Sequence, residues 1–324
     1  MPDQPNDLSH DLPFDRVTLR ARRQRLAVDP QTRDADFLHA EAAMRLADRQ
    51  ADIRRGFTQI IELGGRRGLM AQALKSLPQN ARNSHYIVTD SAPGFAKTHT
   101  TGVVADEEYL PFGPQTADLV LSNLTLHHVN DLPGTLSQII QIMKPDGLFL
   151  AVMLGGDSLA ELRACMVEAE SRVTGGVYPR FSPLADLRQA AALLQRAGFA
   201  LPVADAERVT VRYQEPWRLL ADLRAMGESN IRRDRSRLPL RREVLGQALT
   251  LYQERFAGAD GRVPASFDLI FLTGWRPDAS QQQPKRPGSA TTRLATALST
   301  QEHQTEDVVA PQPQTRHSRD DERS

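Results

Sequence analysis

The sequence predicts an α/β protein with a mostly parallel sheet. Short apolar runs alternate with segments of helical spacing, and the first run, FTQIIEL at 57–63, ends in a glycine-rich turn. A second apolar run at 85–89 leads into Asp90, so residues 57–90 are expected to form a strand, a helix and a strand. Strands that alternate with helices imply right-handed crossovers, which place helices on both faces of the sheet.

The remaining elements follow from periodicity and from turn residues. Apolar residues near one face predict the helices, and apolar runs bounded by turns such as PDG at 145–147 predict the strands. The predicted helices are at 34–55, 69–77, 136–143, 158–172 and 185–197. After the first two strands, the predicted strands are at 102–105, 117–121, 148–153, 209–213 and 267–275.

The chain is expected to form one folded domain over residues 14–276. A mainly helical segment at 215–256 lies between the last two predicted strands and is long enough to cap one end of the sheet. Residues 1–13 are mostly polar, and residues 277–324 are rich in Gln, Pro, Ser, Thr and charge, with few apolar side chains. Such segments bury too little apolar surface to fold, so both are predicted to be disordered.

Composition narrows the classes of partner. Forty basic residues balance forty acidic ones, so no overall field draws the protein toward nucleic acid or an anionic membrane. Cys165 is the single cysteine, which excludes an intrachain disulfide and a cysteine-built metal site. The first residues lack the apolar core of a signal peptide, and no apolar run reaches the roughly 20 residues of a membrane span. Only four basic residues are Lys, a bias typical of GC-rich bacterial genomes. From the charge balance, the single cysteine and the lack of export or membrane signals, we expect a cytoplasmic bacterial protein without a nucleic-acid partner or an integral membrane segment.

The first glycine-rich turn is a candidate ligand site, because bare backbone at the carboxyl end of a strand allows a ligand to approach closely. It follows Glu62 and reads GGRRG at 64–68. The turn lacks the G-x-G-x-x-G spacing of dinucleotide-binding proteins and the G-x-x-x-x-G-K-[ST] pattern of nucleoside triphosphate sites. A phosphate ligand is therefore not favoured.

Acidic residues follow the next two strands. Asp90 lies 22 residues after Gly68, near the position at which a carboxylate binds both hydroxyls of a ribose, with a solvated strand-end carboxylate as the alternative. Three acids at 106–108 precede the apolar segment LPF at 110–112. An acid here could accept a hydrogen bond from the exocyclic amine of an adenine, with an acidic surface loop as the alternative. Taken together, the three strand ends favour a nucleoside ligand.

The order of these motifs resembles that of the class I S-adenosylmethionine methyltransferases. The matching segments are, in order, ELGGRRG, VTD, ADEEYLPF, ADLVLSNLTLHHVNDLPG and MKPDGLFLAVM. Within this superfamily the chain is similar to the branch that contains the malonyl-acyl-carrier-protein methyltransferase of biotin synthesis and the mitochondrial assembly factor of respiratory complex I. The segments similar to the assembly-factor group are FDR at 14–16, LGG at 154–156, ELR at 161–163, DLRAMGESN at 222–230 and residues 267–275.

The resemblance implies a Rossmann-like methyltransferase fold and S-adenosylmethionine as the cofactor. The implied cofactor-binding residues are Glu62, Gly64, Gly65, Arg66, Gly68, Asp90, Asp106, Glu107 and Asn123. Family members usually have G-x-G-x-G in the first motif, and Arg66 stands where the middle glycine is expected. A side chain at this point can push the ligand away, or its guanidinium can bind the methionine carboxylate. We expect binding that is weakened but retained.

Four residues are candidates for the reacting end of the site: Asn123, His127, Arg180 and Arg224. The resemblance places Asn123 and His127 near the methyl donor. Arg180 and Arg224 could hold an anionic group or a protein substrate, with surface salt bridges as the alternative. His127 and His128 are adjacent, and neighbours in a helix point about 100° apart, so they are not expected to share a metal ion. No metal site is predicted.

Three functions are compatible with these observations. The first is an S-adenosylmethionine-dependent methyltransferase acting on a small-molecule, carrier-bound or protein acceptor. The second is an assembly-factor-like protein, whose relatives hydroxylate an arginine of a complex I subunit. The third is an assembly protein that binds S-adenosylmethionine without catalysis. Arg66, which replaces a glycine of the first motif, is the observation that suggests it.

Overall fold

A computed structural model of the protein describes residues 12–75, 84–236, 238–282, 289 and 292–300. The chain divides into two units, at residues 1–281 and 282–324. The first unit is built on one sheet, and its strands are β1 (Gln59–Leu63), β2 (His85–Asp90), β3 (Gly102–Val104), β4 (Ala117–Asn123), β5 (Met143–Leu154), β6 (Ala200–Tyr213) and β7 (Val263–Trp275).

The described residues form a seven-stranded sheet of order β3-β2-β1-β4-β5-β7-β6. Strands β1 to β5 pair in parallel, and β7 is antiparallel to both β5 and β6. The prediction of a mostly parallel sheet is confirmed. Because the order reverses between β1 and β4, the carboxyl ends of these two strands form the crevice in which open α/β sheets bind ligands.

Helices cover both faces of the sheet, as predicted. They are α1 (Arg16–Val28), α2 (Phe37–Ala51), α3 (Leu69–Lys75), α4 (Pro93–Ala96), α5 (Leu132–Ile142), α6 (Ala160–Thr174), α7 (Leu187–Ala197), α8 (Pro216–Met226) and α9 (Arg242–Phe256), with 3-10 helices at Pro30–Asp36 and Leu126–His128. Alternation along β4 divides the core, because Leu119 and Leu121 pack with α2, α6, α8 and α9, whereas Val120 packs with α5 and α7 on the other face.

Several bounds differ from the prediction. Strands β5 and β7 begin at Met143 and Val263, five and four residues before their predicted starts, and α2 covers a shorter range than predicted. The largest differences concern α1 and β6. Helix α1 was not predicted, and it begins after Asp15, whose side chain accepts a hydrogen bond from the Thr18 amide. Strand β6 begins at Ala200, nine residues before the predicted start, because it is a long edge strand that pairs with β7 over most of its length. Its residues are mostly exposed or half-buried, so the apolar run that marks a central strand is missing.

Helices α8 and α9 lie between β6 and β7 in the chain, where the sequence predicts a cap. Both pack into the same hydrophobic cluster as α6, through residues such as Leu219, Ala248 and Cys165. Among the described residues, no helix has the length and apolar character needed to cross a bilayer.

The predicted domain bounds stay a prediction. Residues 1–11 and 301–324, which belong to the segments predicted to be disordered, lie outside the described residues. In the second unit the described residues include the short helix α10 (Leu294–Ala297).

Candidate active site

The first three strand ends meet at one edge of the sheet, and the structure brings the predicted turn and acids together there. The Gly65 amide donates to the Thr89 carbonyl at 2.9 Å, and the Arg66 amide donates to Asp90 Oδ2 at 3.2 Å. Gly64 and Gly68 have φ values of +69° and +75°, which glycine adopts without steric cost. The turn therefore takes a tight backbone conformation that Gly64 and Gly68 allow, and it lies against the end of β2.

The turn is packed against the protein itself. A Cβ on Gly64 would lie 2.3 Å from Thr125 Oγ1, and a Cβ on Gly65 would lie 2.2 Å from Val88 Cγ1. Protein side chains therefore fill the space that the missing Cβ atoms of these glycines leave.

The Glu62 carboxyl group lies inside the sheet edge. Its Oε2 accepts a hydrogen bond from the Tyr86 hydroxyl at 2.7 Å, and the side chain is 1% exposed. Burial raises the pKa of Glu62 to about 8, and the Asp90 carboxylate adds to the rise. Glu62 is therefore largely protonated at neutral pH.

Asp90 is fully buried, and backbone amides use both of its carboxylate oxygens. Oδ1 accepts from the Ala92 amide at 2.8 Å, and Oδ2 accepts from the Arg66 amide. Burial raises the pKa of Asp90, although the Arg23 guanidinium opposes this. No carboxylate oxygen of Asp90 is without a partner in this arrangement.

Two arginines of α1 pair with the acids that follow β3. Arg16 contacts both Asp106 and Glu107, with Nη2 2.5 Å from Asp106 Oδ1. Arg23 Nη1 lies 2.8 Å from Glu107 Oε1. Burial opposes ionisation of Glu107, but the two guanidinium groups lower its pKa to about 2. Glu107 is therefore ionised, and the guanidinium groups of α1 neutralise it.

Arg23 also reaches across the glycine turn. Its Nη2 lies 3.4 Å from Thr125 Oγ1, the atom that packs on Gly64. One guanidinium thus spans from the acid after β3 to the loop after β4, over the end of β1.

Arg66 fills the neighbouring space from the turn. Its Nη1 donates to the Met226 carbonyl at 2.6 Å and lies 2.9 Å from His39 Nε2, while Nη2 lies 3.4 Å from Asp36 Oδ1. The side chain is buried. It pairs with protein groups, whereas the sequence also allowed pairing with a methionine carboxylate. The guanidinium groups of Arg23 and Arg66 thus lie at the carboxyl ends of β1 and β4, where the resemblance places S-adenosylmethionine, and both pair there with protein groups.

Asn123 is buried at the end of β4. Its Nδ2 donates to the His39 carbonyl at 2.9 Å, and its buried Oδ1 has no hydrogen-bond partner among the described residues. The assignment of Asn123 to the cofactor site stays a prediction.

A cavity of about 480 Å³ lies beside this crevice, between α6, α8 and the segment at 180–184. Its lining is mostly apolar, with polar groups at one side. The lining residues used below are His127, His128, Glu228, Arg163, Arg180, Arg224, Leu162, Leu223 and Phe267. A cavity of this size and character is typical of a binding site for a small molecule or for one side chain of a partner.

The two predicted arginines differ in their charge balance. Arg180 binds the buried Glu170 carboxylate through Nε at 3.0 Å and Nη2 at 2.6 Å, so its charge is neutralised. The Arg224 side chain is exposed and has no ion pair among the described residues. Of the two, Arg224 is the one available to an anionic group.

His127 and His128 converge on Glu228, contrary to the expectation that adjacent imidazoles diverge. His127 Nε2 and His128 Nε2 lie 3.1 Å and 3.4 Å from Glu228 Oε2, and the ring centroids are 4.1 Å apart. The histidines lie in a single 3-10 turn, and Glu228 follows the glycine that ends α8. Glu228 was not predicted as a site residue, because a carboxylate about 100 residues away leaves no local motif.

Burial and the neighbouring His127 lower the pKa of His128 well below its usual range. The His128 imidazole is therefore neutral at physiological pH, which is the form that binds metal ions.

The fold and this crevice define a class of protein, and the chain belongs to the family described as a methyltransferase domain, whose model matches residues 31–202. The arginine-hydroxylase NDUFAF5 of Homo sapiens, a mitochondrial protein, is 39% identical over 86% of this chain and 81% of that protein. The malonyl-[acyl-carrier protein] O-methyltransferase of Methylovorus sp. (strain MP688) is 33% identical over 74% of this chain and 73% of that protein.

The comparison with solved structures supports the fold. A Bacillus halodurans C-125 protein described as a methyltransferase superposes with a TM-score of 0.50, at 16% identity, over 72% of this chain and 99% of that protein.

Proposed function

We propose that this protein hydroxylates an arginine side chain of a partner protein, as the name of its NDUFAF5 relatives states of them. The observation that carries the proposal is the occupation of the methyl-donor crevice by Arg23 and Arg66, beside a cavity that ends in an imidazole and carboxylate cluster. The higher identity and coverage of the NDUFAF5 relatives favour the same function.

The lining of the cavity is suited to an arginine side chain of a partner protein. Apolar side chains such as Leu162, Leu223 and Phe267 can pack on the methylene stem of an arginine. At the polar side, the Glu228 carboxylate can accept charge-assisted hydrogen bonds from a guanidinium. Arg224, exposed at the same cavity, can pair with an acidic residue of the partner.

The reaction requires reagents from solution. One oxygen atom of O₂ enters a C–H bond of the arginine, and the other leaves as water with two protons and two electrons from a reductant. The protein residues named above hold the substrate side chain. From the resemblance to the assembly-factor group, we infer a complex I subunit as the partner. The bacterial cytoplasm stays the compartment expected from composition alone.

The test compares a deletion strain with its parent by mass spectrometry of complex I peptides. We expect an arginine peptide that carries one additional oxygen in the parent only, restored by the wild-type gene. Restoration by Arg224→Ala at a reduced level would agree with a role in partner binding. Identical arginine peptides in both strains would contradict the proposal.

A second candidate is S-adenosylmethionine-dependent methyl transfer to a carrier-bound, small-molecule or protein acceptor. The positive φ of Gly64 and Gly68 and the position of Asp90 favour it. It requires the guanidinium groups of Arg23 and Arg66 to leave the crevice. Labelled S-adenosylmethionine, incubated with the protein and a lysate of the deletion strain, would give a labelled product; biotin dependence of the deletion strain would identify the malonyl acceptor. If neither a labelled product nor an oxygenated arginine peptide is found, a non-catalytic assembly protein is favoured.

A further inference from the structure

We propose that His127, His128 and Glu228 bind one divalent first-row transition-metal ion at the inner end of the cavity. The inference goes beyond the proposed function, because it concerns metal binding and would hold whichever reaction the protein catalyses.

The distances within the cluster fit a shared ion. Each residue offers one ligand atom, and these atoms lie within 4.8 Å of one another. Two ligands about 2.1 Å from one ion are about 3.0 Å apart at an octahedral angle and about 3.4 Å apart at a tetrahedral angle. The separations of Glu228 Oε2 from the two Nε2 atoms, 3.1 Å and 3.4 Å, lie in this range. They exceed the roughly 2.7 to 2.9 Å of a charge-assisted N–H···O hydrogen bond.

The ligands are buried and held from two elements. His127 and His128 are 4% and 3% exposed and lie in the 3-10 turn after β4, while Glu228 follows α8. The Phe14 ring packs edge-on against the His128 imidazole at 6.1 Å. The Nε2 atoms are the ring nitrogens that face Glu228, and both Nδ1 atoms are buried without a hydrogen-bond partner among the described residues.

The surrounding charges permit a cation. The nearby guanidinium groups have carboxylate partners: Arg16 and Arg23 pair with Asp106 and Glu107. Arg66 shares Asp36 with Arg67, and the Asp90 carboxyl group also lies near Arg66. The Glu228 carboxylate is then the anion that faces the two imidazoles.

Three protein ligands leave positions open toward the cavity. Two histidines and one carboxylate with open positions are typical of non-haem Fe(II), and three ligands with an open fourth position are typical of catalytic Zn(II). The ion would therefore lie where water or a bound side chain can reach it, since all three residues line the cavity.

The test titrates the purified full-length protein with Co(II), whose visible absorption reports its coordination. We expect one equivalent to bind, and the Glu228→Gln and His128→Gln variants to bind at least 10-fold more weakly, because loss of a ligand exceeds the 10- to 100-fold cost of losing an outer-shell partner. His85→Ala, at an exposed histidine outside the cluster, serves as the matched control and should bind like the wild type. Equal affinity in the wild type and both ligand variants would overturn the proposal.

A measurement on the wild type keeps the proposal testable if the variants do not fold. Pulsed EPR of the Cu(II)-loaded protein counts the coordinated imidazoles, and two are expected. No stoichiometric binding, or fewer than two imidazoles, would leave only a hydrogen-bonded His–Glu cluster and overturn the proposal. Because these experiments need no turnover, their failure is distinct from the absence of an oxygenated arginine peptide.

Discussion

Arg66 is the residue at which the chain departs from the glycine pattern of the family. Its backbone conformation is one that glycine adopts more easily than arginine. Its φ is 46°, a region that costs a non-glycine residue of order 1 kcal/mol or more. The guanidinium offsets this cost through the Met226 carbonyl and the neighbouring Asp36. The side chain thus replaces a ligand contact by contacts within the protein.

Replacement of this side chain should reopen the crevice. We expect Arg66→Gly to raise the affinity for S-adenosylmethionine at least 10-fold in isothermal titration calorimetry, because it removes the guanidinium and restores a glycine at a positive φ. Arg67→Gly is the matched control, since Arg67 also pairs with Asp36 but is not at the middle glycine position. Equal affinity in the two variants would mean that Arg66 does not close the crevice.

Glu62 gives the stability of the protein a specific pH dependence. Its pKa is about 8 in the folded protein, above the 4.5 of a free glutamate, so the folded state retains a proton that the unfolded state loses in this window. The free energy of unfolding therefore falls as the pH rises from about 4.5 to 8.

Substitution by glutamine should remove that dependence. At about 1.4 kcal/mol for each pKa unit, we expect Glu62→Gln to raise the free energy of unfolding by about 2 to 4 kcal/mol at pH 8, with little change near pH 4.5. Urea unfolding at both pH values measures the difference. Glu254→Gln, at an exposed glutamate, is the control, and a Glu62→Gln variant that parallels the wild type at every pH would refute the assignment.

At the scale of elements, α1 closes the crevice. Arg16 and Arg23 lie seven residues apart, near one face of the helix, and both contact Glu107. Leu19 and Leu26 anchor the same helix in small hydrophobic clusters. The helix is therefore held by the ion pairs of Arg16 and Arg23, by hydrogen bonds from Arg22 to the 229 and 230 carbonyls, and by limited apolar packing.

Loss of one ion pair should loosen this helix. We expect Arg23→Ala to destabilise the protein by about 3 kcal/mol, because removing one partner exposes the cost of a buried charge, and to accelerate hydrogen exchange of the amides at 16–28. Arg20→Ala, on the exposed face of the same helix, should leave exchange unchanged. If both variants exchange like the wild type, α1 is held by other contacts.

At the scale of the whole molecule, the first unit ends with contacts made just after β7. Trp275 pairs with Leu148 and Ala200, the Arg276 amide donates to the Gly147 carbonyl at 2.9 Å, and Gln281 Nε2 donates to Asp146 Oδ1 at 3.0 Å. The second unit begins at the next residue.

Truncation should separate the two units. We expect a chain that ends at Gln281 to keep its Tm within about 2 °C of the full chain, since it keeps the contacts of Trp275, Arg276 and Gln281. A chain that ends at Gly274 should melt several degrees lower, because it loses the Trp275 pairing and the Arg276 hydrogen bond. A large drop in Tm for the longer truncation product would show that residues 282–324 stabilise the first unit.

Sequence periodicity captured the central elements and missed the peripheral ones. The residues of β4 are buried on both faces, so their apolar run is visible without knowledge of neighbours. Helix α1 escaped notice because five of its residues are arginines and its docking depends on distant acids. The candidate cofactor acids were found at the correct edge of the sheet, but their arginine partners were not.

The sequence by itself determined the alternation of strands and helices, the glycine turn with its positive φ values, and the position of the acids at the carboxyl edge, because these depend on local periodicity and backbone sterics. Tertiary structure alone decided what those groups contact. Arg23 meets Glu107 across 84 residues, and His127 meets Glu228 across 101, so neither pairing has a local signal in the chain. The closed crevice and the imidazole and carboxylate cluster are therefore products of folding, in which distant side chains acquire partners that no short motif encodes.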